Sequence, residues 1–446
     1  MLTMRGTAAL LVMALFSSDA QAATIWEGTS TYSITTGSGD VLGTSGAAVA
    51  LSAESTGEHS FVGAVASLDA GPFRGKEIRL AGNLTVTQGR GQAAIWVRAD
   101  GPDGRLGFAN SGREPVRAHE GPLAREVLLY VPVGTTRLKF GVTLNSVGHV
   151  EVENLRLTQE AVSSVGITAN DMLTYALPII RAEALNAGNV NWSAEETVQL
   201  SPELKDLPAQ EAYSRLRKVL DALADRHSLL QMPREALAYR QSAVASRPIE
   251  SRLMQDIGYV LVPGLRGNNA GAGATFTAEL CERITTLAPA SSKGWILDLR
   301  QDTGGNMWPM LNGLHSLLGS HDAGAFRNRD GAVTRWRSRP TPGCSVDLSR
   351  SPVAVLVGPK TASSGEAIAV AFRARPGTRF FGQTTAGLAT SNRGFPLPDG
   401  GMLRLTVGAM LDRDGEAYPQ GIEPEHLVPR DQDAVEVAAA WLRSMP

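Results

Sequence analysis

Several features are scarce in this chain, and each scarcity closes off a class of function. The seven histidines of its 446 residues are scattered, with no His-x-x-x-His or Cys-x-x-Cys spacing of the kind a zinc site favours. No glycine-rich phosphate loop or dinucleotide fingerprint occurs, so no cofactor and no metal are expected. Forty-two basic residues face 44 acidic ones, a net charge of −2, without a basic block or stripe to hold nucleic acid or an anionic membrane surface. After the first two dozen residues no apolar run approaches the roughly 20 needed to cross a bilayer, so no membrane span is expected. Cysteine is limited to Cys281 and Cys344.

What is present begins with an address. Arg5 precedes the apolar stretch from Ala8 to Phe16, and Ala20-Gln-Ala22 supplies small residues at a cleavage position. Residues 1–22 therefore read as a secretory signal peptide, and the protein as exported, either periplasmic or secreted. Export would place Cys281 and Cys344 in an oxidising compartment, where they either pair or stay as buried thiols. The length calls for more than one domain.

From residue 23 to about residue 160 the pattern is all-β. Short alternating runs, such as those beginning at Glu77, Ala94, Glu126 and Thr136, are separated by Gly, Pro, Asp and Asn turns, which suggests a β-sandwich. The order of these runs resembles jelly-roll modules that bind carbohydrate or accompany an enzyme, so a glycan or a protein partner is the expectation for this part. Residues 166–245 read as a small helical domain, with Met172, Tyr175, Ala176, Ile179 and Ile180 on one helix and Tyr213, Leu216, Val219, Leu220 and Leu223 on another. The second helix runs out at Ala224-Asp-Arg-His-Ser228, which leaves His227 either as a C-capping side chain or as a base. Residues 249–446 alternate strands with helices, implying a mainly parallel sheet with crossover helices.

One stretch of that last region stands out. Val353 to Val357 is continuously apolar, as expected of a strand covered on both faces, and Ala367 to Arg373 reads as a helix. The turn between them places Ser363 and Ser364 at a helix N-terminus, where unpaired N–H groups and the positive end of the dipole gather. Ser363 is either an N-cap or a nucleophile whose oxyanion would find donors ready. The strand from Gly294 to Arg300 ends in Asp302-Thr-Gly304-Gly305, where paired glycines form a tight turn or a loop that brings backbone N–H groups to a ligand.

Three separated stretches, Ile296 to Gly305, Thr361 to Glu366 and Leu223 to Ser228, together resemble the C-terminal processing peptidase family in its tricorn-core and interphotoreceptor retinoid-binding-like branch. Gly382 to Gly387, Leu397 to Gly401 and Gly421 to Glu425 extend the resemblance. It implies a crotonase- and Clp-protease-like β/α core and a serine-type endopeptidase acting on a peptide or protein. Ser363 would be the nucleophile and His227 the general base, with the Ser364 amide and a Gly304 or Gly305 amide as the oxyanion hole. The lysine used as base by the processing peptidases would fall 25 residues after the serine, where this chain has Leu388. The third catalytic position, a late glutamate in the tricorn core, falls near Tyr418; Glu416 is the expected substitute, with Asp225 and Glu423 as weaker candidates. The stretch between Gln231 and Gln255 is too short for the PDZ domain that many family members carry. A ligand- or peptide-binding protein on the same scaffold is the alternative reading.

Overall fold

The computed structural model describes residues 26–28, 34–36, 39–53, 61–112, 114–160, 166–194, 202–344 and 346–445. The signal-peptide expectation for residues 1–22 lies outside them. The chain divides into two compact units, Met1–Ser163 and Ser164–Pro446.

In the first unit two antiparallel sheets enclose one core. One sheet runs in the order Trp26–Gly28, Phe61–Asp69, Arg137–Asn145, Gln92–Gly101, Gly104–Asn110, with Val116–Arg117 added beside Gln92–Gly101. The other runs Ile34–Thr36, Ala47–Ala53, Gly148–Glu160, Glu77–Gly89, Leu123–Tyr130. Strict alternation builds this layer: along Glu77–Gly89, Ile78, Leu80, Leu84 and Val86 point inward, while Glu77, Arg79 and Thr85 do not. The inward set meets Val62, Ile95, Val97, Phe140 and Val142 of the facing sheet.

The second unit is organised by a six-stranded sheet in the order Glu250–Met254, Ile257–Leu261, Gly294–Asp298, Val353–Val357, Thr378–Gly382, His426–Leu427. Every neighbouring pair is parallel except the first. Its three central strands are buried at every position, as a sheet covered on both faces requires. Val260, Trp295, Leu297, Val353 and Val355 face helices Ala270–Leu287, Met307–Gly313 and Ser364–Phe372. Ile257, Tyr259, Ile296, Ala354 and Leu356 face helix Ala434–Ser444. Cys281 of helix Ala270–Leu287 is joined to Cys344 by a disulfide, with the Cα atoms 5.8 Å apart.

A second, antiparallel sheet binds the helical segment to this core. Its long strand Met402–Leu411 pairs with Leu229–Gln231, Gly324–Asn328 and Thr390–Pro396. Helices Ala169–Glu183 and Ala212–Ala222 bury Met172, Leu173, Leu216 and Val219 against Leu403 and Leu405 of the same sheet and Leu397 of the turn before its long strand. The segment read from sequence as a separate helical domain is thus built into one unit with the sheet core. Its apolar stripe finds its cover in a strand some 200 residues later, which helical periodicity cannot reveal.

Candidate active site

The turn after strand Val353–Val357 is held by its own polar groups. Thr361 donates its hydroxyl to Leu299 O at 2.9 Å and accepts the Gly358 N–H at 3.0 Å. Ala362 N–H donates to Asp302 O at 3.0 Å. The chain then enters helix Ser364–Phe372 through Ser363, whose φ of 53° and ψ of −116° are rare for a residue with a side chain. Glu366 stabilises this sharp turn. Its buried carboxylate accepts from Ser363 N–H at 3.0 Å, Thr385 Oγ1 at 2.6 Å, Gly387 N–H at 2.9 Å and Leu388 N–H at 2.8 Å. Burial raises the Glu366 pKa while these donors oppose the rise. Leu388, at the position of the processing-peptidase lysine, brings only its backbone to this network.

The hook that carries His227 begins where helix Ala212–Ala222 ends. Ala224 and Arg226 both have positive φ, 54° and 55°, so the chain reverses tightly. The Asp225 carboxylate holds the reversal: Oδ1 accepts from His227 N–H at 2.9 Å and Ser228 N–H at 2.8 Å, and Oδ2 from the Ser228 hydroxyl at 2.6 Å. Asn392 Nδ2 donates to His227 O at 2.9 Å, and the Thr406 hydroxyl donates to Asn392 Oδ1 at 3.1 Å. The imidazole is consequently fixed between two hydroxyls. Nε2 lies 2.9 Å from Ser363 Oγ, and Nδ1 lies 2.7 Å from Thr390 Oγ1. The side chain is buried, which lowers its pKa below that of a free histidine; the nearby Asp225 carboxylate opposes that shift.

The turn Asp302–Gly305 lies against Ser363. A Cβ built on Gly304 would stand 2.9 Å from Ser363 Cβ and 3.1 Å from Ser364 N; one on Gly305 would strike Leu265 O at 2.0 Å. With φ of 94° and 128°, both positions need glycine. Gly304 does not supply the expected donor, because its N–H points inward to Asp302 Oδ1 at 2.9 Å. Among the described residues neither Gly305 N–H nor Ser364 N–H has a protein acceptor. The Ser364 hydroxyl donates to Gly305 O at 2.7 Å, which ties these two peptide groups together.

The expected third member is not at the site. Glu416 is exposed on the hairpin after strand Met402–Leu411, where its N–H donates to Asp412 Oδ1 at 3.0 Å. Both imidazole nitrogens are taken, by Ser363 and by Thr390, and Glu416 bonds to neither. Asp225 is spent on backbone N–H groups, and Glu423 is exposed, its carbonyl accepting from Arg373. Thr390, which no sequence signal marks, occupies the place instead as the first residue of strand Thr390–Pro396. Among the described residues no group of three or more His, Cys, Asp or Glu side chains is placed to hold a metal ion, and no helix is long and apolar enough to cross a membrane.

Residues 256–428 match the family model described as Peptidase family S41. Over 241 residues the chain is 26% identical to the nisin-resistance protein of Lactococcus lactis subsp. lactis, covering 51% of this chain and 73% of that one. It is 27% identical over 171 residues to the carboxy-terminal processing protease CtpA of Bacillus subtilis (strain 168), covering 36% of this chain and 35% of that one. The solved structure of a lipoprotein from Streptococcus agalactiae superposes with a TM-score of 0.55 at 25% identity, covering 64% of this chain and 99% of the other.

Proposed function

Taking as premise that this chain belongs to the C-terminal processing peptidase family and is a serine-type peptidase, we propose that it cleaves peptide bonds through an acyl-enzyme on Ser363 with His227 as general base. The observation that carries this reading is the 2.9 Å approach of His227 Nε2 to Ser363 Oγ. With its Nδ1–H donated to Thr390 Oγ1, the imidazole presents its Nε2 lone pair to the serine proton. The Ser363 oxygen attacks the scissile carbonyl carbon as its proton passes to Nε2. Negative charge on the carbonyl oxygen is received by the N–H groups of Gly305 and Ser364, each contributing roughly 2.7–4 kcal/mol in the transition state. Collapse breaks the C–N bond, and the leaving amine takes the proton from His227. Water then attacks the ester, gives a proton to the same nitrogen, and frees Ser363.

The substrate is a peptide or protein. Its place of action is the cell envelope or the extracellular space, a reading supported by the export signal in the sequence and by a lipoprotein among the relatives. The two-sheet unit is a jelly-roll-like accessory module, and the parallel sheet with its helices a crotonase- and Clp-protease-like core; their strand orders support both readings. The test is labelling of the full chain by a fluorophosphonate probe. Wild type is expected to label, and Ser363→Ala and His227→Ala are not; equal labelling of wild type and Ser363→Ala would sink the proposal.

A further inference from the structure

We propose that Asp302 is a positioning residue whose neutral carboxyl group, holding the Gly304 N–H, is the form in which the oxyanion site works. This inference rests on the peptidase reading above and concerns the loop that serves it.

Asp302 is fully buried and touches both halves of the oxyanion site. Its backbone oxygen accepts the N–H of Ala362, the residue before the nucleophile, and its Oδ1 accepts the Gly304 N–H. A Cβ on Gly365 would meet Asp302 Cγ at 2.8 Å, so the carboxyl group packs directly under the turn that presents Ser364 N–H. Oδ2 has no partner. A buried carboxylate with a vacant oxygen is costly, and among the described residues no cationic side chain pairs with it. The titratable and charged groups on the surrounding elements are otherwise engaged or remote. Asp298 and Arg300, on the same strand end, pair with each other. Glu366 on helix Ser364–Phe372 is saturated by four donors. The Asp225 carboxylate is bonded within its own hook, the His227 imidazole is held between Ser363 and Thr390, and among the described residues the Asp302 carboxyl group has no ion-pair partner. Burial pushes the Asp302 pKa up and the Gly304 N–H opposes the rise, leaving it at about 7.

Two consequences follow for catalysis. An acceptor at Oδ1 is needed in either charge state, because it holds the Gly304 N–H inward and fixes the loop whose Gly305 N–H has no acceptor among the described residues. A negative charge there opposes the negative charge developing on the substrate oxygen between Gly305 and Ser364, through a medium that screens poorly. The protonated acid keeps the first effect and removes the second.

The experiment is the rate of fluorophosphonate labelling of the full chain across about pH 5.5 to 9, a reaction that also places negative charge in the oxyanion site. Wild type is expected to rise as His227 loses its proton and then to fall about tenfold above neutrality. Asp302→Asn keeps an oxygen acceptor but cannot ionise, so its rate is expected to stay level where wild type falls. Asp302→Ala loses the acceptor and is expected to be slow at every pH. Should Asp302→Asn not fold, the wild-type profile decides alongside the infrared band of a protonated carboxyl group, which must fade in step with the rate. A wild-type rate that stays high on the alkaline side, or an alkaline fall retained in Asp302→Asn, overturns this inference and leaves the Ser363 mechanism standing. Absence of labelling at all pH values overturns the mechanism and this inference with it.

Discussion

His227 Nδ1 lies 2.7 Å from Thr390 Oγ1, so the group that orients the imidazole is a neutral hydroxyl rather than a carboxylate. A hydroxyl fixes the tautomer and ring plane, but it cannot stabilise the imidazolium by charge as the aspartate of a Ser-His-Asp triad does. Thr390→Val keeps the shape and removes the acceptor, leaving Nδ1–H unpaired in a buried place. At about 1–3 kcal/mol for such a loss, the acylation rate is expected to fall roughly 5- to 150-fold. Thr390→Ser should restore most of it. Equal rates in all three proteins, measured under single-turnover conditions, would assign the orienting role elsewhere.

The pH dependence follows from burial. Burial lowers the His227 pKa, so the neutral base persists to lower pH than a free imidazole would allow, and the acid limb of kcat/KM should lie below the ordinary histidine value of about 6.5. The same shift bears on stability. A histidine whose folded pKa is depressed contributes its full stability above the unfolded value and loses it as pH falls through the window down to the folded one. His227→Gln should therefore flatten part of the stability decline below about pH 6.5, as read by urea midpoints at several pH values. An acid limb above that value would contradict a desolvated base.

How much was legible in the sequence depended on whether the signal was local. Val353 to Val357 and the helix after Ser363 announce themselves by five consecutive apolar residues and an alanine-rich run, and the structure places both where the pattern does. The paired glycines at 304 and 305 signal a close backbone approach, but not which amide faces outward; that depends on the Asp302 carboxyl group. The proximity of His227 to Ser363 came only from resemblance, because 136 residues separate them and no periodicity connects them. Thr390 had no signal at all. It reaches the imidazole through the register of strands Thr390–Pro396 and Met402–Leu411, which composition does not encode. Glu416 came from the resemblance alone, as the carboxylate nearest the family's late position, whereas the imidazole nitrogens are taken by Ser363 and Thr390.

The disulfide makes a prediction independent of catalysis. Cys281 and Cys344 close a loop 63 residues apart in sequence, linking helix Ala270–Leu287 to the segment that precedes strand Val353–Val357. On the chain-entropy account such a closure is worth up to about 4 kcal/mol. Cys281→Ser with Cys344→Ser should therefore lower the urea midpoint while leaving fluorophosphonate labelling of the folded fraction intact. An unchanged midpoint would mean that the reduced chain is already constrained there.

The two N–H groups proposed to receive the oxyanion can be separated by substitution. Gly305 sits at φ 128° with Leu265 O where a Cβ would go, so Gly305→Ala must displace the loop from Leu265 and with it the N–H of residue 305. The N–H of residue 305 then leaves the developing charge, and kcat is expected to fall about 10²- to 10³-fold, as when one oxyanion donor is removed. Ser364→Ala acts more gently: the amide remains, but the 2.7 Å bond from the hydroxyl to Gly305 O is lost, so a fall of roughly tenfold is expected from a weakened tether worth about 1 kcal/mol or slightly more. KM should change little in either variant, because the interaction forms with the charge and not with the bound substrate. A rise in KM at constant kcat would instead place residue 305 in ground-state binding and remove it from the oxyanion site.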